Sequence, residues 1–177
     1  MRNFMKSISG LLTFWHPHAD KLRPVSLLFA RVVVGRVFLL SGLAKWSGFF
    51  KFDATSYDLF RYEFFCPEEV RKGALRLCAA ALNDYPEDGN TMTFIIDRLA
   101  NIAGLTEVIF GATLILGLYS RLSALVLLGM TLFIQFFVFP DAATWWGSHV
   151  WWFIALFVVV AHGPGRFSLD KVLKVET

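Results

Sequence analysis

The chain has 177 residues, of which 56% are hydrophobic and 18% charged, with a mean hydropathy of +0.55. Soluble domains run at ~45–50% apolar and ~25% charged, so this composition, with 19 Phe and 6 Trp, excludes disorder, collagen and coiled coil and argues against an ordinary soluble domain. The net charge of +3 is scattered rather than clustered, which excludes a nucleic-acid footprint, and two cysteines without a C-x-x-C or Cys/His spacing exclude a zinc site and a disulfide scaffold.

In chain order, residues 1–24 read as an N-terminal cytoplasmic and interfacial segment. Phe4, Ile8, Leu11, Leu12 and Trp15 recur at helical spacing, as in a short helix lying on a membrane surface. The apolar run there is too brief for a signal peptide, and no small-residue cleavage site follows. Four stretches then approach the ~20 apolar residues that a spanning helix needs. They lie at about 25–46, 95–119, 121–140 and 147–162. Backbone groups in lipid must be satisfied within the segment, so the spans should be helices. Short links make the last three antiparallel neighbours.

The expected fold is therefore all-α: an integral membrane four-helix bundle with a partly helical outer loop, 47–94, between spans one and two. The four-span domain covers 25–170, and 171–177 is a cytoplasmic tail. Pro67 should open a helix over 67–83 with Glu68 and Glu69 in its first turn, and 83–90 is a turn-rich break.

Lys and Arg set the direction. Arg2, Lys6, Lys21 and Arg23 precede span one, Arg121 links spans two and three, and Arg166, Lys171 and Lys174 follow span four. The link between spans three and four has Asp141 and no basic residue, while residues 45–96 hold six basic and eight acidic ones. Both termini are expected in the cytoplasm of a multi-pass plasma (inner) membrane protein.

Ionisable residues at membrane depth point to a site or a pair. Arg31, Gly35, Phe38, Gly42 and Lys45 fall on one stripe of span one, and Asp97, Asn101, Gly104, Glu107 and Gly111 on one stripe of span two. Small residues mixed with polar ones are the mark of a helix seam in lipid. Ala124, Leu128, Thr131 and Gln135 share a face of span three, and His149, Trp152, Phe153 and Leu156 a face of span four. Matching depths predicts a Lys45–Asp97 pair and a structural Arg31–Glu107 ion pair, with Arg36 as the competing partner. Lys45, Asp97, Asn101, Gln135 and His149 are candidate ligand-binding residues for a polar headgroup such as a quinone carbonyl or a small anion. Candidates for a catalytic role are Glu107, Arg31 and Cys66.

His149 and His162 lie ~20 Å apart along one helix, which excludes a bis-His haem, and no metal-ligand cluster remains. Trp145, Trp146, Trp151 and Trp152 read as an interface belt. Cys66, before the helix-opening proline, would have its thiol pKa lowered by the helix dipole. On one straight helix Cys78 would be ~18 Å away, so the two can pair only if that helix breaks, with Gly73 as the place.

The ordered pattern resembles the DoxX family of small four-span membrane proteins. It is carried by Arg31 with Gly35, by Gly42-Leu43-Ala44-Lys45, by Pro67, by Glu107 and by Leu116-Gly117-Leu118-Tyr119-Ser120-Arg121. The most specific piece is Gly163-Pro164-Gly165-Arg166-Phe167-Ser168-Leu169-Asp170, where Gly and Pro end a helix and Ser168 can cap a short tail helix. The resemblance implies a plasma-membrane four-helix bundle. It also implies a link to quinone-dependent oxidation, as in the small subunit of an archaeal thiosulfate:quinone oxidoreductase, or to thiol and oxidative-stress complexes. The long first loop, Arg36 and Cys66 depart from the family pattern.

Three functions follow as expectations. The first is the membrane subunit of a quinone-linked or thiol-linked redox system. With no flavin, haem, iron–sulfur or metal motif of its own, it would need a partner or a loop thiol as electron donor. The second is a non-enzymatic membrane partner whose outer loop docks another protein or a second copy. The third is a small-solute transporter.

Overall fold

The structure, a computed structural model, describes residues 16–49, 51–67, 71–77 and 91–176. The expected surface helix over 4–15, the turn at 83–90, and Glu68, Glu69 and Cys78 lie outside the described residues.

Four helices are long and apolar enough to cross a membrane: Lys21–Leu43, Thr91–Leu116, Ser120–Val138 and Ala142–His162. They pack as an all-α membrane bundle. α1 (His16–Leu43) begins well before the expected start and runs through Pro24, whose missing N–H removes one intrahelical bond. A two-stranded antiparallel hairpin, β1 (Trp46–Gly48) and β2 (Lys51–Phe52), follows it. α2 (Ala54–Asp58), capped by Asp53, continues as a π-helical turn over Leu59–Phe65. α3 (Thr91–Leu116) and α4 (Ser120–Phe133) are the second and third spans, and α4 continues in a π-helical segment, Ile134–Val138. The fourth span starts as α5 (Ala142–Thr144), passes through a π-helical Trp145–His149 and becomes α6 (Val150–His162). α7 (Leu169–Leu173) is the last element among the described residues.

The small-residue stripes meet as expected. A Cβ on Gly111 would sit 2.7 Å from the Leu39 backbone nitrogen, and one on Gly42 2.8 Å from the Val108 nitrogen. Backbone cannot move aside, so these glycines set how closely spans one and two approach. Lipid tails are as apolar as leucine, so close packing holds such helices together rather than exclusion of water. Val34, Phe38, Leu114, Leu127, Leu156 and Val159, drawn from all four spans, form the buried centre.

The expected helix over 67–83 is corrected where it can be seen: residues 71–77 are not helical. Gly73 has φ +91°, open to glycine and strained for other residues, and the Ala74 N–H bonds to the Arg71 carbonyl in a tight turn. The irregular stretch beyond it donates from Leu75 N–H to Phe137 O and from Leu77 N–H to Phe65 O. The loop is thereby tied to the third span. Cys66 is buried and disulfide-bonded, and the only other cysteine in the chain is Cys78. The expected reactive thiol at Cys66 is thus replaced by a bridge that the broken helix permits.

Candidate functional site

The motif pieces that lie furthest apart in the chain converge at the end of the bundle where α1 starts and α7 lies, the terminal end of the described residues. The second span stops at Gly117 (φ +72°), where Gly117 N–H bonds to Leu114 O and Leu118 N–H to Thr113 O, a glycine stop that satisfies the last carbonyls. Arg31 is fully buried, and its guanidinium lies against Gly117 so closely that a side chain there would collide with it. Arg31 Nη2 donates to the Phe167 carbonyl, and Asp170 supplies the opposing charge. Asp170, also fully buried, accepts from Tyr119 N–H at 2.7 Å, Ser120 N–H at 2.9 Å and the Ser120 hydroxyl at 2.7 Å. It caps the third span from outside it. Ser168 caps α7 by accepting from Lys171 N–H, as its position predicts. This end is a lock centred on Asp170, with Arg31 Nε and Nη1 buried beside it without a hydrogen bond.

The other end is built differently. A cavity of about 540 Å³ opens between the spans under the first loop. Leu59, Phe60, Phe64 and Phe65 roof it, and Phe38, Met130 and Trp152 form part of its walls. Its polar lining is short: Ser41, Lys45, Thr106, Glu107 and His149. A mostly apolar concavity with a few converging polar groups is the usual form of a small-molecule site. Each of the three π-helical segments among the described residues contributes to it, through Leu59, Phe60, Phe64 and Phe65, through Ile134 and Val138, and through His149. Such turns are frequent at functional sites because they reorient side chains that a regular helix would place elsewhere.

Lys45 Nζ donates to Glu107 Oε2 at 2.5 Å and to the Ser41 hydroxyl and carbonyl at 3.0 and 3.1 Å. The ammonium therefore reaches back one turn, into the bundle. The expected Arg31–Glu107 pair is corrected: Glu107 pairs with Lys45, Arg31 belongs to the opposite end, and Arg36 is exposed on span one. The expected Lys45–Asp97 pair is corrected too. Asp97 takes a two-pronged bond from Arg61, Nε to Oδ1 at 2.8 Å and Nη2 to Oδ2 at 2.6 Å. Asn101 accepts from the Tyr57 hydroxyl and donates to Asp97 O. Asp97 and Asn101 thus hold the roof onto the second span and do not line the cavity.

Gln135 and His149 come from two π-helical segments and meet, Nδ1 to Oε1 at 2.7 Å. The Gln135 amide nitrogen is committed to Phe139 O and Asp141 O, so its oxygen is the acceptor and His149 Nδ1 the donor. That leaves Nε2 outside this network, on a residue that lines the cavity. Trp152 is not a belt residue: it packs edge-on to Phe38 at 5.6 Å and lies 5.0 Å from the His149 ring. Trp146 and Trp151 are exposed, as a belt requires.

Of the candidate ligand residues, Lys45 and His149 reach the cavity, Gln135 positions His149, and Asp97 and Asn101 fix the roof. Sequence reasoning missed Arg61, Tyr57 and the phenylalanines of the roof. The readable signal was Tyr57 and Arg61 at i, i+4 on one helical face, opposite a span with a carboxylate, Asp97, near its start.

Fold and cavity define a four-span membrane protein with a chamber beneath its first loop. Residues 91–140, the second and third spans with the turn between them, match the DoxX family model, and over that stretch the chain is similar to DoxX proteins. The matched segment carries Asp97, Asn101, Glu107 and Gln135. No curated protein and no solved structure matches the chain.

Proposed function

We propose that the protein is the membrane subunit of a quinone-linked redox system and that the chamber under the loop takes the quinone headgroup. The observation that carries this is the meeting of Lys45, Glu107 and His149 at the wall of an otherwise aromatic and aliphatic cavity. A quinone, when bound, accepts two electrons and two protons. Lys45 would donate a hydrogen bond to one carbonyl, and Glu107 and His149, each within the lining, would hold or release the protons. Phe60, Phe64 and Phe65 would exclude water, and Trp152 would flank the ring.

The DoxX match and the four apolar helices support a bilayer setting, and the basic residues at the terminal end support a plasma-membrane protein with both termini in the cytoplasm. Alkaline phosphatase fused after Asp88 should be active, and fused after Arg121 inactive; the opposite pattern reverses the orientation. A thiol-linked form of the same reading is favoured by the disulfide at Cys66, next in the chain to Phe65 of the roof. In that form the Cys66 and Cys78 thiols lose two protons and two electrons, the S–S bond forms, and the quinone becomes quinol.

Purification of the full chain in mild detergent, followed by lipid extraction and quinone chromatography, tests the proposal. A short-chain quinone should also quench Trp152 fluorescence. Lys45→Met and His149→Leu should both lower retained quinone, while Arg36→Gln should not. No quinone in the wild type and no quenching would sink the reading and return the loop to protein docking. Cys66 remaining oxidised in quinone-depleted cells supplied with reductant would remove the thiol-linked form alone.

A further inference from the structure

The lock at the terminal end has an open flank. A cleft of about 520 Å³ runs between the start of span one and the turn after span four. Lys21, Arg23, Arg166 and Lys171 line it from three separate parts of the chain, beside His162 and a single carboxylate, Glu176. The four cations are exposed, and none has a salt bridge among the described residues. Glu176 is occupied by the Arg121 backbone N–H at 3.0 Å. Four like charges gathered around one carboxylate leave a net positive cleft, and that repulsion is relieved by an anion.

The depth of the cleft narrows what that anion is. Lys21 opens the first apolar span and His162 closes the fourth, so the cleft lies at the level where headgroup phosphates sit. Leu27 and Pro164 make its floor apolar. A second cavity of about 400 Å³ shares Arg23, Leu27 and His162 and continues between Ser26 and Val158, along the spans. Leu22, Val25 and Phe29 are exposed on the same stretch of α1, as lipid-facing residues are. We infer that this cleft is a phosphate-binding site at the membrane interface, occupied by the headgroup of an anionic lipid whose glycerol end enters the second cavity. Basic pockets between spans are a known route to such recognition, worth about tenfold in affinity for every one or two cations engaged. The inference does not depend on the quinone proposal, since the two cavities lie at opposite ends of the bundle.

The test uses the full chain in nanodiscs of phosphatidylcholine alone, of phosphatidylcholine mixed with phosphatidylglycerol, and of phosphatidylcholine with added inorganic phosphate. Melting temperature and lipid retained in native mass spectrometry are read. Phosphatidylglycerol should raise the melting temperature and be retained selectively. The double variant Arg23→Gln, Arg166→Gln should lose retention by roughly tenfold or more, and Arg23→Lys, Arg166→Lys should keep it. Because these side chains are exposed, both variants should fold, and the lysine variant checks that they do. A rise with inorganic phosphate equal to that with phosphatidylglycerol would support the phosphate site and give it to a soluble anion. No rise in either sample, or unchanged retention in the glutamine variant, would overturn the inference.

Discussion

The two ends of the bundle solve the problem of polar groups in a membrane in opposite ways. At the terminal end Asp170 answers three donors, and Arg31 is pressed between Gly117 and the Phe167 carbonyl. At the loop end Lys45, Glu107 and His149 are each held from one side and face a void on the other. The Asp170 carboxylate, bonded on both oxygens, fixes structure, while Arg31 Nε and Nη1 stay without a hydrogen bond even here; polar groups that face a space leave room for an occupant. A conspicuous charged residue in a span, such as Arg31, is therefore not by itself the mark of a site.

Four tests bear on this contrast. The largest effect should come from Asp170→Ala, which strands two backbone N–H groups and a hydroxyl and removes the charge facing Arg31. A loss of about 3–5 kcal/mol in detergent melting is expected, with the quinone retention proposed for the chamber unchanged per folded molecule. Loss of quinone in the folded fraction would mean that the two ends are coupled. Next is the pair at the chamber. Glu107→Gln and Lys45→Met should each cost ~2–4 kcal/mol, somewhat under the value for a fully buried pair because Lys45 keeps 13% of its side chain exposed. The double variant should recover part of that, whereas Glu107→Gln with Arg31→Gln should be additive. Coupling to Arg31 instead would dismantle the assignment of Arg31 to the other end.

A smaller contrast separates two glycines. Gly111→Ala places a methyl against the Leu39 backbone and should cost ~1–3 kcal/mol by overpacking. Gly129→Ala meets nothing within 4 Å and should be neutral or stabilising by ~0.5–1 kcal/mol, since alanine is the better helix former. Equal damage at both would count against the tight seam. The smallest effect concerns Asp141, which caps the start of the fourth span. The Thr144 backbone N–H, and then its hydroxyl, hold the Asp141 carboxylate below its ordinary value. A carboxylate so lowered stabilises the fold above its ordinary pKa and stops doing so as pH falls through the lowered one. Wild type should therefore lose a little melting temperature in strong acid that Asp141→Asn does not lose; identical acid profiles would remove the cap from the account.

The spans and their seams were legible because hydropathy and small-residue spacing report directly on lipid and on close packing. Gly35, Gly42 and Gly111 could be placed without any structure. The ion pairs were not legible, because depth counted along straight helices places the Cα and not the charge. The Lys45 ammonium lies a turn deeper than its backbone, bonded to Ser41, and that reach changed its partner. Asp97 went to Arg61, a residue of a loop whose fold depends on contacts distant in sequence. The bridge at Cys66 was legible only as the alternative to a straight helix, and the left-handed Gly73 is where that helix is interrupted.

The π-helical segments around the chamber carry a consequence for how the protein varies. A π turn is what a helix forms when it holds one residue more than its regular hydrogen bonding needs. Gln135 and His149 both sit in such turns. Removing a single residue from Ile134–Val138 would restore an ordinary helix and swing one partner ~100° away from the other. The polar wall is thus encoded partly in segment length, so that a scan replacing one side chain after another would leave this layer of information unread, and a scan deleting single residues would expose it.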